Sequence, residues 1–92
     1  MDDNTRKNIS RRLASAAGHI KGIERMVADD TYCIDVIKQV QAVQAALNKV
    51  NALILDNHLQ TCVTTAIRGD DAGEREAVLK EVTSVFEMVS KT

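Results

Sequence analysis

The sequence has 92 residues, no proline, four glycines, one tyrosine, one phenylalanine and a formal net charge of −1. This length suits a single small domain over residues 1–92, and a composition rich in Ala, Val, Leu, Ile, Lys, Glu and Gln favours helices and argues against a sheet. The sequence lacks a twenty-residue apolar run and a basic, apolar signal segment, so we expect a cytoplasmic protein without a membrane span. Its near-neutral total charge does not by itself indicate a polyanion-binding protein.

A first helix is predicted from about Asn4 to Ala28, because apolar residues there recur in steps of four and three. The segment DDT at positions 29–31 contains N-capping residue types and predicts a break before the next helix. The apolar positions of the first helix are Ile9, Leu13, Ala16, Ile20, Ile23 and Val27.

A second, longer helix is predicted next, because no residue between Thr31 and Arg68 would interrupt it. The segment RGDDAG at positions 68–73 predicts the next turn, and a shorter third helix follows it. The apolar positions of the second helix are Val36, Val40, Val43, Leu47, Val50 and Ile54, and those of the third are Val78, Val82, Val85 and Val89.

The second helix is too long for a compact monomer. Its roughly 36 residues span about 54 Å at the standard helical rise. A globular domain of this size has a radius of gyration of only about 12 Å, so two other helices cannot cover such a rod. Because its apolar spacing is that of a coiled-coil contact, we expect an all-α chain of three helices that forms a helical oligomer.

Three potential metal ligands share one face of the second helix. At about 100° per residue, Cys33 and His58 differ by about 20° in azimuth, and Cys62 differs from Cys33 by about 20° in the other direction. Along the axis, however, Cys33 and His58 are about 38 Å apart, so one chain cannot bring them to one ion. Two antiparallel copies related by a two-fold axis near residue 46 place Cys33 of one chain opposite His58 and Cys62 of the other.

The chemistry of this predicted site points to a soft metal. Two thiolates and one imidazole match Cu(I), which accepts three ligands, whereas zinc would need a fourth. Two alternatives remain open from the residues alone. Cysteine is often a small buried apolar residue and histidine a satisfied polar one, and two cysteines also suit a redox or sulfur-species sensor.

Residues 18–62, GHIKGIERMVADDTYCIDVIKQVQAVQAALNKVNALILDNHLQTC, resemble the core of the copper-sensitive operon repressor family of bacteria. The ordered set Cys33, His58 and Cys62 is similar to that of the copper-sensing branch. Formaldehyde-sensing relatives lack the second cysteine, persulfide-sensing relatives lack the histidine, and nickel- and cobalt-sensing relatives use further histidines.

The resemblance implies a dimer of dimers that binds operator double-stranded DNA when metal-free and releases it on binding Cu(I). It further implies two groups of functional residues. Tyr32 and Glu81 would couple the metal to DNA from outside the ligand set. The residues implied in DNA binding are Arg12, Lys49, Arg11 and Lys21.

The basic residues are concentrated near the start of the sequence, where a solvated helix face is the simplest explanation. In the light of the resemblance, we interpret them as a phosphate-contacting surface. The expected function is a copper(I)-responsive transcriptional repressor and not an enzyme, since no acid or oxyanion device accompanies the thiols. The alternatives are a thiol-, persulfide- or other-metal-responsive repressor on the same scaffold, or a copper carrier without DNA.

Overall fold

The computed structural model describes the backbone of residues 1–90 and the side chains of residues 1–88. This part of the chain is helical without strands, so the predicted all-α class is confirmed. Val89, a predicted apolar position of the last helix, has its side chain outside the described residues. The elements are α1 (Asp3–Ala28), α2 (Cys33–His58), a π-helical turn (Leu59–Val63), α3 (Thr64–Arg68) and α4 (Ala72–Ser90).

Both ends of α1 are closed by aspartates. At its start the Asp2 carboxylate accepts a hydrogen bond from the Thr5 N–H at 3.3 Å. The pKa of Asp2 lies below its ordinary value of 3.8, chiefly because of hydrogen bonding with the Thr5 side chain, with a smaller effect of this backbone N–H. At its end Asp30 adopts a left-handed conformation with φ of 56°. The Thr31 N–H bonds to the Met26 carbonyl and the Asp30 N–H to the Val27 carbonyl, which is a Schellman motif.

The break at positions 29–31 is therefore confirmed, but its predicted chemistry is wrong. Asp30 and Thr31 close α1 and do not cap α2. The first turn of α2 is instead anchored by the Tyr32 carbonyl, which accepts the N–H groups of Asp35 at 3.0 Å and Val36 at 3.2 Å.

The predicted second helix is helical from Cys33 to Arg68, with one interruption that the sequence did not predict. At Leu59–Val63 the backbone widens into a single π-helical turn before α-helical geometry resumes at Thr64. The predicted turn at positions 68–73 is confirmed, since α3 ends at Arg68 and α4 begins at Ala72.

The chain divides into two compact units, Met1–Ile54 and a second that begins at Leu55. In the first unit α1 and α2 form an antiparallel hairpin, in which the His19 Nε2–H donates to Gln39 Oε1 at 2.7 Å. This pair sets a register in which facing residue numbers sum to about 58. The buried residues fit this register, since the residue numbers of Ile9 and Val50, and those of Ala16 and Val43, each sum to 59.

Only part of each apolar stripe is covered within the described chain. Ile9 and Ala16 are buried in α1, and Val43 and Val50 are buried in α2. The alternate positions remain exposed by between 37% and 60% in both helices. These exposed residues, which we call the open stripe, are Leu13, Ile20 and Val27 of α1 and Val40, Leu47 and Ile54 of α2.

In the second unit α4 packs against α3 and the π-helical turn, with Val63 and Ala66 buried. The Asp71 carboxylate caps α4 by accepting the Glu74 N–H at 3.1 Å. Arg75 donates from Nη1 to the Gly69 carbonyl at 2.8 Å, which ties the first turn of α4 to the preceding connection. Among the described helices, none combines the length and the apolar character that a membrane span requires.

Candidate metal centre

His58 is the last residue of α2, and the structure places it beside α4. Its Nε2 atom lies 3.3 Å from Oε1 of Glu81. This nitrogen is shielded from solvent, yet no described residue meets it with the geometry of a hydrogen bond. The pair thus satisfies the distance of an ion pair without the alignment of a hydrogen bond. The Glu81 side chain is largely exposed, whereas that of His58 is half-buried.

Cys62 lies inside the π-helical turn, one turn beyond His58. Its thiol is free and exposed, with the Thr61 hydroxyl oxygen 3.7 Å from Sγ. The same hydroxyl donates to the Asn57 carbonyl at 2.8 Å. A thiol and an imidazole, here one helical turn apart, are both donor types that thiophilic metals accept.

Cys33, the third predicted ligand, is the first residue of α2 and also carries a free, exposed thiol. Within the described part of one chain, no three histidine, cysteine or acidic side chains come together as a metal-binding group. Cys33, His58 and Cys62 as one ligand set therefore stay a prediction, and that prediction requires a second chain.

Tyr32, the residue predicted to act beside the metal, immediately precedes Cys33. Its carbonyl anchors α2 while its side chain is exposed. The structure describes no bond from its hydroxyl, so its predicted coupling role stays a prediction.

The predicted DNA-binding residues are exposed on the α1–α2 hairpin. Arg11 and Arg12 both donate to the side-chain oxygen of Asn8, at 3.3 Å and 3.1 Å. The hairpin register brings Lys49 level with positions 9–10, within one helical turn of both arginines. Lys21 lies further along the exposed surface of α1.

The neighbouring cations are arranged differently. Asp3 forms ion pairs with Arg6 at 3.5 Å and Lys7 at 3.1 Å, which partly neutralise the first turn of α1. Arg11 and Arg12 contact a neutral amide and so keep their full positive charge for an anionic partner.

Sequence reasoning missed three residues in these regions: Asn8, Thr61 and Thr64. The position of Asn8, three and four residues before Arg11 and Arg12, is a signal that could have been used, because such spacings place side chains on one helix face. The two threonines gave no comparable signal, since threonine is common on exposed helix surfaces without altering the turn.

The sequence and the fold of this chain are similar to those of known transcriptional repressors. The family model described as metal-sensitive transcriptional repressor matches residues 5–88. The copper-sensing transcriptional repressor CsoR of Bacillus subtilis is 37% identical over 84 residues, covering 91% of this chain and 80% of that protein. The CsoR of Mycobacterium tuberculosis H37Rv is 44% identical over 71 residues, covering 77% of this chain. The match spans 57% of the length of that mycobacterial relative, little more than half.

Two solved structures share the fold. The copper-sensing repressor CsoR with Cu(I) from Geobacillus thermodenitrificans superposes with a TM-score of 0.85 at 36% identity, covering 98% of this chain and 91% of that one. The nickel-responsive transcriptional regulator InrS gives a TM-score of 0.72 at 35% identity, with 90% of each chain covered.

Proposed function

Because this chain belongs to the family of metal-sensitive transcriptional repressors, we propose that it is a copper(I)-responsive repressor. In this proposal it acts in the cytoplasm, binds operator DNA when metal-free and releases the DNA when Cu(I) binds. The carrying observation is a free thiol at Cys62 one helical turn beyond His58, whose Nε2 lies 3.3 Å from Glu81 and thus leaves Nδ1 as the donor for a metal. The relatives named above as copper-sensing support Cu(I) as the effector, and no catalytic role is assigned.

The proposed ligands are Cys33, His58 and Cys62, and their donor atoms fit a soft monovalent metal. Bound Cu(I) would supply a thiophilic centre that draws two thiolates and an imidazole together. In this proposal Nδ1 of His58 binds the metal, because Nε2 lies 3.3 Å from Oε1 of Glu81. Glu81 would then accept the Nε2–H and orient the ring from outside the ligand set.

The open stripe of α2 supports a site shared between two antiparallel chains. Where residue numbers on the two copies of α2 sum to 94, Leu47 faces its own counterpart and Val40 faces Ile54 of the partner. These three residues are exposed in the single chain, so this pairing would cover them. The same register places Cys33 opposite position 61, which lies between His58 and Cys62 of the partner.

The amount of exposed apolar surface supports a stable oligomer. Among the described side chains none is fully buried, and the open stripe leaves six large apolar residues in contact with solvent. A protein of this size gains little stability from so small a core, and oligomerisation is a usual remedy. We propose a homodimer through α2, further assembled as a dimer of dimers.

The proposed DNA surface is the basic side of the α1–α2 hairpin, with Arg11, Arg12, Lys21 and Lys49 contacting phosphates. In an oligomer these cations recur on every chain, so local positive patches form although each chain has a net charge of −1. We expect backbone contacts and DNA shape to dominate recognition, since this surface has no aromatic residues and no helix-turn-helix.

Subunit mixing tests the shared site directly. Cys33→Ala protein and Cys62→Ala protein should each bind Cu(I) weakly, because each parent dimer has two damaged sites. After subunit exchange, half of the dimers at random pairing should contain one intact site and one lacking both cysteines. A competition titration should therefore detect a new high-affinity class. A mixture that binds no better than its parents, with exchange verified by mass labels, would refute the antiparallel site.

A parallel effector titration separates the candidate functions. Operator binding is measured by mobility shift with Cu(I), Ni(II), Zn(II) and a persulfide donor. Cu(I) should release the DNA at the lowest free concentration. Preferential release by Ni(II) would favour the nickel-responsive alternative, which the similarity to InrS keeps open. Preferential release by the persulfide donor would favour a sulfur-species sensor, and failure to bind operator would leave a copper carrier.

A further inference from the structure

The π-helical turn coincides with a proposed metal ligand. It covers Leu59–Val63 and thus contains Cys62, while the helix is α-helical on both sides. A π-helical turn carries one residue more per hydrogen-bonded ring than an α-helix, and single turns of this kind often occur at functional sites. Something in the local sequence must satisfy the carbonyl groups that this widening displaces from their usual partners.

Thr64 supplies that compensation at the C-terminal edge of the turn. Its backbone N–H bonds to the Thr61 carbonyl, three residues back. Its side-chain hydroxyl donates to the Leu59 carbonyl, five residues back, at 2.7 Å. A threonine hydroxyl on an α-helix ordinarily reaches the carbonyl three or four residues back, so the five-residue reach belongs to the widened turn.

Buried neighbours of Thr64 restrict the movement of this edge of the turn. Thr64 is half-buried and lies between Val63 and Ala66, which are both buried in the second unit. The Thr61 hydroxyl donates to the Asn57 carbonyl at 2.8 Å, so hydroxyl bonds hold the turn both from Thr61 within it and from Thr64 at its edge.

We propose that Thr64 is a positioning residue for Cys62. By holding the Leu59 carbonyl, its hydroxyl keeps the turn wide and sets where the Cys62 thiol lies relative to His58. In a continuous α-helix, four residues rotate about 400°, which leaves Cys62 about 40° past His58. A wider turn rotates less per residue, so Cys62 is turned back towards His58 from that position. This inference rests on the proposed metal site but concerns the metal-free chain.

The test uses three substitutions. Thr64→Val keeps the shape of the side chain and removes the hydroxyl, and Thr64→Ser restores a hydroxyl at the same position. Thr65→Val is the matched control, because Thr65 is the adjacent exposed threonine and makes no side-chain hydrogen bond among the described residues. Each substitution is made in full-length protein, with and without Cys33→Ala, which leaves Cys62 as the single thiol.

The first measurement needs no metal. Thr64→Val should change the rate of Cys62 alkylation at least threefold and shift the backbone carbonyl resonance of Leu59. Thr64→Ser should restore both, and Thr65→Val should change neither. Unaltered alkylation and an unaltered Leu59 resonance in folded Thr64→Val protein would overturn the proposal, as would equal changes in Thr65→Val.

The second measurement uses the intact Cys33 protein. Thr64→Val should weaken Cu(I) binding about tenfold, the lower range for residues that support metal ligands from outside, with recovery in Thr64→Ser. Unchanged Cu(I) affinity in Thr64→Val would also overturn the positioning role. If wild-type protein itself binds no Cu(I), the proposed function fails, while the metal-free measurement still decides the role of Thr64.

Discussion

His58 is in contact with both the proposed metal site and α4. Its Nε2 lies 3.3 Å from Oε1 of Glu81, and in the proposed site Nδ1 binds the metal. Binding of a metal to the ring would therefore affect α4 through one side-chain contact. Allosteric release requires that Cu(I) bind the DNA-free conformation more tightly than the DNA-bound one, and the contact between His58 and Glu81 is a candidate carrier of that difference.

Replacement of His58 by alanine should separate copper binding from DNA release. The two thiolates should keep appreciable Cu(I) affinity, because they are the strong ligands for this soft ion. Copper titration of His58→Ala on labelled operator should nevertheless leave the DNA bound. His19→Ala, which removes the other histidine from its bond to Gln39, is the control and should release DNA normally. Full release by His58→Ala at ordinary copper levels would show that the thiolates alone drive the response.

Arg12 of α1 belongs to the proposed DNA surface, where its charge would neutralise a phosphate. Arg12→Ala should weaken operator binding and reduce the slope of log affinity against log salt by about one for each phosphate that the variant no longer neutralises. Arg68→Ala, an exposed arginine outside the proposed surface, should leave the slope unchanged. Cu(I) affinity should stay the same in both. Equal slopes for Arg12→Ala and wild type would remove Arg12 from the interface.

The Schellman motif at the end of α1 has an unusual residue at its left-handed position. The Schellman motif requires a left-handed residue, and this chain uses Asp30 where glycine is the usual choice. An aspartate incurs a steric cost at φ of 56° that glycine avoids, because glycine has no Cβ. The hairpin is nevertheless closed, since both backbone hydrogen bonds of the motif are present.

Asp30→Gly should therefore stabilise the protein, by about 0.5–1 kcal/mol after the extra backbone entropy of glycine is subtracted. Asp30→Ala retains the strained conformation without the polar side chain and should be no more stable than wild type. Urea denaturation at one fixed protein concentration measures both, since oligomerisation makes stability concentration-dependent. A less stable Asp30→Gly protein would indicate that the aspartate side chain contributes more than the strain costs.

For the whole molecule, the open stripe is the principal feature. The hairpin buries Val43 and Val50 of α2 but leaves Val40, Leu47 and Ile54 exposed. One heptad pattern thus serves two contacts, one within the chain and one that we assign to a second copy. Both contacts follow from the width of the apolar stripe, which exceeds what a single neighbouring helix covers.

Leu47→Lys should dissociate the proposed dimer, because the two-fold axis brings the two introduced ammonium groups together in an apolar contact. Gln41→Lys adds the same charge at an exposed position about 120° from Leu47 around α2 and should leave the assembly intact. Sedimentation velocity gives the oligomeric state of each. Dissociation by Gln41→Lys alone would place the interface on another face of α2, and an intact Leu47→Lys oligomer would exclude Leu47 from it.

The helical segments and the breaks between them at residues 29–31 and 68–73 followed from the sequence, because apolar period, the lack of proline and turn-forming residues are local properties. The donor types of Cys33, His58 and Cys62, which we propose as ligands, were also readable there. Only the tertiary structure shows which apolar positions of each helix are buried within the chain, since a heptad pattern does not indicate which neighbouring helix covers each position. The π-helical turn and the contact between His58 and Glu81 were likewise visible only in the tertiary structure. The turn depends on whether the Thr64 hydroxyl reaches five residues back, and the contact on how α4 packs against the end of α2.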